Sequence, residues 1–115
     1  MKEIRTKIRG VTFDDPVNNI PRQKIIRRFI RPGTKLLARL EPNNPADAEA
    51  VAVWLKKRAF VFWAVEYHLG YLVHSVAQDV RKQILNDKPV HITVLNVTGG
   101  SKDKPTRGVN VIIRY

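Results

Sequence analysis

Residues 40–55 constrain this chain more than any other stretch. Leu40-Glu41-Pro42-Asn43-Asn44-Pro45-Ala46-Asp47 is a turn rich in proline and asparagine, and it runs almost directly into the apolar segment Ala50-Val51-Ala52-Val53-Trp54-Leu55. Each proline fixes its own φ and pushes the residue before it toward extended backbone. Asn and Asp side chains bond back to nearby amides and tolerate unusual dihedrals. A loop of this make-up holds one shape, and it can present Asp47 and neighbouring amides to a ligand. On composition alone it also reads as a plain turn between two strands. The strand after it has almost no polar alternation, so both its faces should be covered.

The rest of the chain fits around that strand. Ile4 to Val11 alternates as a strand, with Ile4, Thr6 and Ile8 on one face and Arg5, Lys7 and Arg9 on the other. Asp14-Asp15-Pro16 reads as a turn. Residues 19–31 read as a helix with Asn19 as N-cap and Pro21 in the first turn. Its spacing gathers Ile25, Ile26, Phe29 and Ile30 on one face and Lys24, Arg27, Arg28 and Arg31 on the other. Pro32-Gly33 ends it. Lys35 to Leu40 is a strand with Leu36, Ala38 and Leu40 inward. Lys56-Lys57-Arg58 looks like a hairpin tip, followed by a strand from Phe60 to Tyr67. A second helix covers 74–86, with Ser75 and Gln78 as a candidate capping box. Val90 to Val97 and Gly108 to Tyr115 are strands, joined by a glycine- and lysine-rich loop. The expected class is mainly β with two short helices (α+β): one domain, residues 1–115, forming a small OB-like barrel of five to six strands.

Charge narrows the function. The 115 residues carry 21 Lys and Arg against 10 Asp and Glu, a formal net charge of +11. A basic domain of this size expects a polyanionic partner, most often nucleic acid. The four cations in a row on the first helix are the best candidate phosphate track. The absence of cysteine excludes disulfides and thiolate metal sites, and fits an intracellular setting. His68, His74 and His91 lack metal-ligand spacing, His68 and His91 read as surface or half-buried side chains, and no nucleophile elbow or phosphate-binding loop is present. No cofactor and no catalysis are expected. Asp14, Asp15 and Asp47 as a divalent-cation site is the weaker alternative, since adjacent aspartates read first as turn residues. Trp54 and Trp63 fall on one expected hairpin, where they could stack on bases, pack in the core or, with the apolar run Ala59 to Val65, form a dimer or partner surface.

The run Glu41 to Val53 (EPNNPADAEAVAV), followed by Gly70 to Ala77 (GYLVHSVA), resembles the HIRAN domain. That family's hallmark is a Glu-Pro-x-Asn-Pro-x-Asp-x-x-Ala-Ile/Val turn and strand, then a Gly-Tyr/His-hydrophobic step into a helix. Weaker likeness extends to Arg9–Phe13, Val97–Gly100 and Gly108–Ile113. The resemblance implies a modified OB-like barrel with helices at its rim that binds single-stranded or branched DNA, with any helicase or nuclease supplied by a separate subunit. It implies that Asp47 accepts a hydrogen bond from a terminal 3′-hydroxyl and that Asn43, Asn44 and Pro45 shape the pocket floor. Phe13 keeps a base-stacking ring, whereas Thr12 stands where the family has a cation. Ala46 replaces a second stacking aromatic. Tyr71 stands where the family has a histidine, and His74 where it has a phosphate-contacting lysine.

Overall fold

A computed structural model describes residues 1–60 and 62–115. Val61, which falls in the expected Phe60–Tyr67 strand and the expected Ala59–Val65 run, lies outside the described residues. The chain order is β1 (Glu3–Arg9), β2 (Asp14–Asp15), β3 (Ile20–Pro21), α1 (Arg22–Phe29), β4 (Lys35–Leu40), β5 (Val51–Phe60), β6 (Trp63–Leu72), α2 (His74–Leu85), β7 (His91–Thr98) and β8 (Gly108–Arg114). Six strands close into an antiparallel barrel in the order β1-β6-β5-β4-β7-β8, and β8 returns to pair with β1. Closure leaves no open sheet edge. The small β2–β3 hairpin stands outside it.

Period-2 patterning builds the barrel wall. Ile8 on β1, Leu36 on β4, Ile92 and Val94 on β7, and Val109, Val111 and Ile113 on β8 are buried in one core cluster. Val51, Ala52 and Val53 are fully buried in succession, so β5 is covered on both faces as its apolar run requires. The helices close over this wall: Ile25, Ile26 and Ile30 come from α1, and Val76, Ala77 and Val80 from α2. Burying one such aliphatic side chain contributes about 1.5–3 kcal/mol.

Several local expectations need correcting. Asn19 does not cap α1. It takes a left-handed φ of 59° in the β2–β3 turn, and the helix begins at Arg22 with Pro21 in the capping position. Asp14 and Asp15 form a short strand that pairs with Pro21 and Ile20. Lys56, Lys57 and Arg58 are not a hairpin tip, because β5 continues through them and they pair with Glu66, Val65 and Ala64. Val73 precedes α2 with no side-chain cap, so Ser75 and Gln78 make no capping box.

One irregularity sets up the functional region. Val53 pairs with Gly70 but Trp54 pairs with His68, so Leu69 is the extra residue of a bulge. Bulges re-aim side chains next to sites. A Cβ on Gly70 would stand 2.2 Å from the Arg9 carbonyl oxygen, so only glycine lets β1 approach β6 here. Tyr71 then pairs with Arg9 across that contact.

Candidate functional site

The Glu41–Asp47 turn is built around Asn44. Its side-chain oxygen accepts the amides of Ala46 (2.9 Å) and Asp47 (3.1 Å), while its Nδ2 donates to Glu41 Oε1 (3.0 Å). Asp47 Oδ1 accepts the Glu49 amide at 2.9 Å. Its other oxygen stands 3.7 Å from His74 Nδ1, and the side chain keeps 43% of its exposure. His74 opens α2, whose first turn carries no side-chain cap, so the positive end of the helix dipole lies beside Asp47.

A cleft of about 420 Å³ opens here, lined by Arg9, Gly10, Phe13, Arg22, Asn44, Ala46, Asp47, Ala50, Tyr71, Leu72, His74 and Ala77. Phe13 is largely exposed at its edge. Tyr71 donates its hydroxyl to Glu41 Oε1 at 2.9 Å. Burial raises the Tyr71 pKa, and donating to the Glu41 carboxylate raises it further. The phenol therefore stays a donor.

Beneath the cleft lies a buried polar network that the sequence reading did not anticipate. Arg22 and His68 keep 4% and 1% of their exposure, which corrects the expectation of a surface or half-buried side chain for His68, whereas His91 is exposed as expected. Arg22 donates Nε to the His68 carbonyl (2.9 Å), Nη1 to the Gly10 carbonyl (2.9 Å) and Nη2 to His68 Nδ1 (2.5 Å). A guanidinium cannot accept, so His68 carries its proton on Nε2. That Nε2 faces Glu41 Oε2 at 3.6 Å without a hydrogen bond. Burial and the Arg22 charge together lower the His68 pKa, against opposing pulls from Glu41 and Asp15. Asp15 is fully buried, and burial works to raise its pKa. Donors from Asn18, Val17 and the His68 amide outweigh this and hold the carboxyl below its ordinary value. Both Asp15 oxygens are thus occupied, and it supplies no metal ligand alongside Asp14 and Asp47. Among the described residues no group of three or more His, Cys, Asp or Glu side chains is placed to hold a metal ion.

Of the sequence-predicted residues, the cleft brings together Phe13, Asn44, Asp47, Tyr71 and His74. Thr12, Asn43 and Pro45 are exposed and do not line it; Asn43 borders a separate hollow with Leu40, Glu41 and Pro42. Lys24 and Arg27 line another groove, and Arg28 a third with Ile20 and Tyr67. Arg31 donates to the carbonyls of Arg27 and Ile30, the C-terminal end of α1. A hollow of about 470 Å³ at the β5–β6 hairpin, lined by Lys56, Arg58, Phe62, Trp63 and Ala64, contains none of the predicted site residues. Trp54 is half-buried, with its ring 4.8 Å from His68 and Arg39 above it.

The structure is similar to that of the HIRAN domain of human HLTF, with a TM-score of 0.59 and 14% identity, covering 96% of this chain and 72% of that one. The chain has the HIRAN fold. The structure is also similar to that of a protein from Lactobacillus plantarum, with a TM-score of 0.56 and 14% identity, covering 99% of this chain and 100% of that one. No family model and no curated protein matches the sequence. No helix among the described residues is long and apolar enough to cross a membrane.

Proposed function

We propose that this domain is a non-catalytic nucleic-acid-binding module whose cleft seats an end of single-stranded or branched DNA. The observation that carries this reading is the state of Asp47. One oxygen is pinned by the turn, and the other lies 3.7 Å from His74 Nδ1 on a side chain that lines the open cleft together with Phe13. A carboxylate accepts from a hydroxyl but repels a phosphate, so it favours a free 3′-hydroxyl end. Phe13 stacks on a base, and Tyr71 borders the same space. Stacking contributes about 1–3 kcal/mol per base, so the missing ring at Ala46 lowers affinity by about ten-fold. Exposed Lys24, Arg27 and Arg28 offset this through phosphate contacts that weaken with salt.

Fluorescence anisotropy with oligonucleotides ending in 3′-hydroxyl or 3′-phosphate tests the reading. Wild type should prefer the hydroxyl end by about ten-fold, equivalent to about 1.4 kcal/mol. Asp47→Asn keeps an acceptor for the Glu49 amide and should erase the preference while sparing bulk affinity. No binding at low salt would end the proposal.

A second reading is favoured by one observation. Phe62 and Trp63 remain 92% and 58% exposed at the β5–β6 hairpin. Exposed aromatics of this size suit a partner or a second copy of the chain. A concentration-dependent dimer in light scattering, with no DNA binding, would support it. Any helicase or nuclease activity would then come from the partner.

A further inference from the structure

We propose that Arg22 makes the floor of the cleft an anion site for the phosphate on the 5′ side of the terminal nucleotide. The cleft then reads one nucleotide as a bipolar unit, with its hydroxyl at Asp47 and its phosphate at Arg22. This rests on the reading of the cleft as an end site.

The starting point is a buried cation without a counter-ion. Arg22 keeps 4% of its exposure. Among the described residues it forms no ion pair. Its hydrogen-bond partners are two backbone carbonyls and a neutral imidazole nitrogen, and the Tyr71 ring lies 6.0 Å away. Tyr71, Asp15, Glu41 and Asp14 act on it only at longer range, and the two carboxylates that pull hardest are engaged elsewhere: Asp15 by Asn18 and backbone amides, Glu41 by Tyr71 and Asn44. A buried charge balanced only at a distance is costly, and an anion bound in contact reduces that cost.

The geometry also leaves donors available. A guanidinium has five N–H groups, and the three bonds of Arg22 use one on each nitrogen. One N–H on each terminal nitrogen is left, on a side chain that lines the cleft. Paired terminal N–H groups are the fork that grips two phosphate oxygens. Gly10 keeps the approach open. Its φ is +79°, and an added Cβ would stand 3.4 Å from Arg22 Nη1, 3.9 Å from the Tyr71 ring and 4.0 Å from the Phe13 ring. A volume of about 420 Å³ lies within the ordinary size of small-ligand sites.

The test modifies the ligand first. Two 3′-hydroxyl oligonucleotides are compared, one with a neutral methylphosphonate at the last linkage and one with it several linkages inward. The proposal expects the terminal change to weaken binding by about ten-fold or more, and the inner change by about two-fold. Equal losses overturn it. In Arg22→Gln the terminal penalty should fall to the inner value. If that variant fails to fold, equal losses in wild type still overturn the proposal, and Arg9→Gln and His74→Gln, which change the other basic side chains of the cleft, should each leave the terminal penalty in place. A retained preference for 3′-hydroxyl with no terminal penalty refutes the Arg22 site and leaves the end-site reading intact. Absence of oligonucleotide binding sinks both.

Discussion

Two basic regions start from adjacent residues of α1 and are built in opposite ways. Arg22 is buried under the cleft, tied to the Gly10 and His68 carbonyls. Gln23 ties the neighbouring Val11 carbonyl and both backbone groups of Arg107. It thereby stitches the loop between β7 and β8 to the helix. The groove beside it, of about 380 Å³, is lined by Lys24 and Arg27 as well as Arg107. Lys24 and Arg27 are long and exposed. In the cleft, by contrast, the groups are held by neighbours before any ligand arrives. The difference separates affinity from discrimination. Exposed cations supply salt-screened attraction to any phosphate chain. Held groups supply the choice between one chain end and another, because they cannot adjust to the wrong one.

The comparison breaks most visibly in stability. Arg22→Met strands the His68 ring and two carbonyls, and should cost about 3 kcal/mol in denaturant unfolding. Lys24→Met in the groove should change stability by less than about 0.5 kcal/mol. Equal effects would mean that the buried network does not hold the cleft. Next, Lys24→Gln with Arg27→Gln should weaken oligonucleotide binding by about ten-fold at low salt. It should also reduce the salt slope by about two, with the 3′-end preference unchanged. A lost preference would merge the two regions into one.

Acid should act on the cleft side first. The folded His68 pKa is depressed, so below about pH 6.5 the unfolded chain takes up a proton that the folded chain refuses. The unfolded state then holds more protons, and stability falls as pH drops through that range. Asp15 adds a further loss at lower pH, because its folded pKa is also depressed. A stability curve flat from neutral pH to pH 5 would contradict the buried neutral imidazole. A small effect belongs to Arg31→Ala, which removes donors to the last carbonyls of α1. It should cost about half a kcal/mol and leave DNA binding almost unchanged.

Much of the barrel was legible because its patterning is local. The alternation of Ile4, Thr6 and Ile8, the apolar run from Val51 to Leu55 and the helical spacing of Ile25, Ile26 and Phe29 each name a face without knowledge of the partner. The α1 boundary was misread because Asn19-Ile20-Pro21 suits a cap by composition, whereas pairing of Asp15 with Ile20 pulls these residues into a hairpin. The Asn44-centred turn was legible in its residue types. The floor of the cleft was not, since it depends on three distant segments, around Gly10, Arg22 and His68, meeting at the bulge. A signal for Arg22 did exist. It precedes Ile25, Ile26 and Phe29 by three, four and seven positions, which puts a cation on the apolar face of its helix. A charge at such a position is buried with partners or serves a site, and among the described residues this one has hydrogen-bond partners but no ion pair in contact.

The central claim is that the held cleft, and not the exposed cations, receives the chain end. An amide NMR titration with a short 3′-hydroxyl oligonucleotide at physiological salt tests it most directly. The account predicts the largest shifts at Gly10, Phe13, Asp47, Tyr71 and His74, with weaker ones along α1. Shifts confined to Lys24, Arg27 and the 104–107 loop, with the cleft amides unmoved, would contradict it.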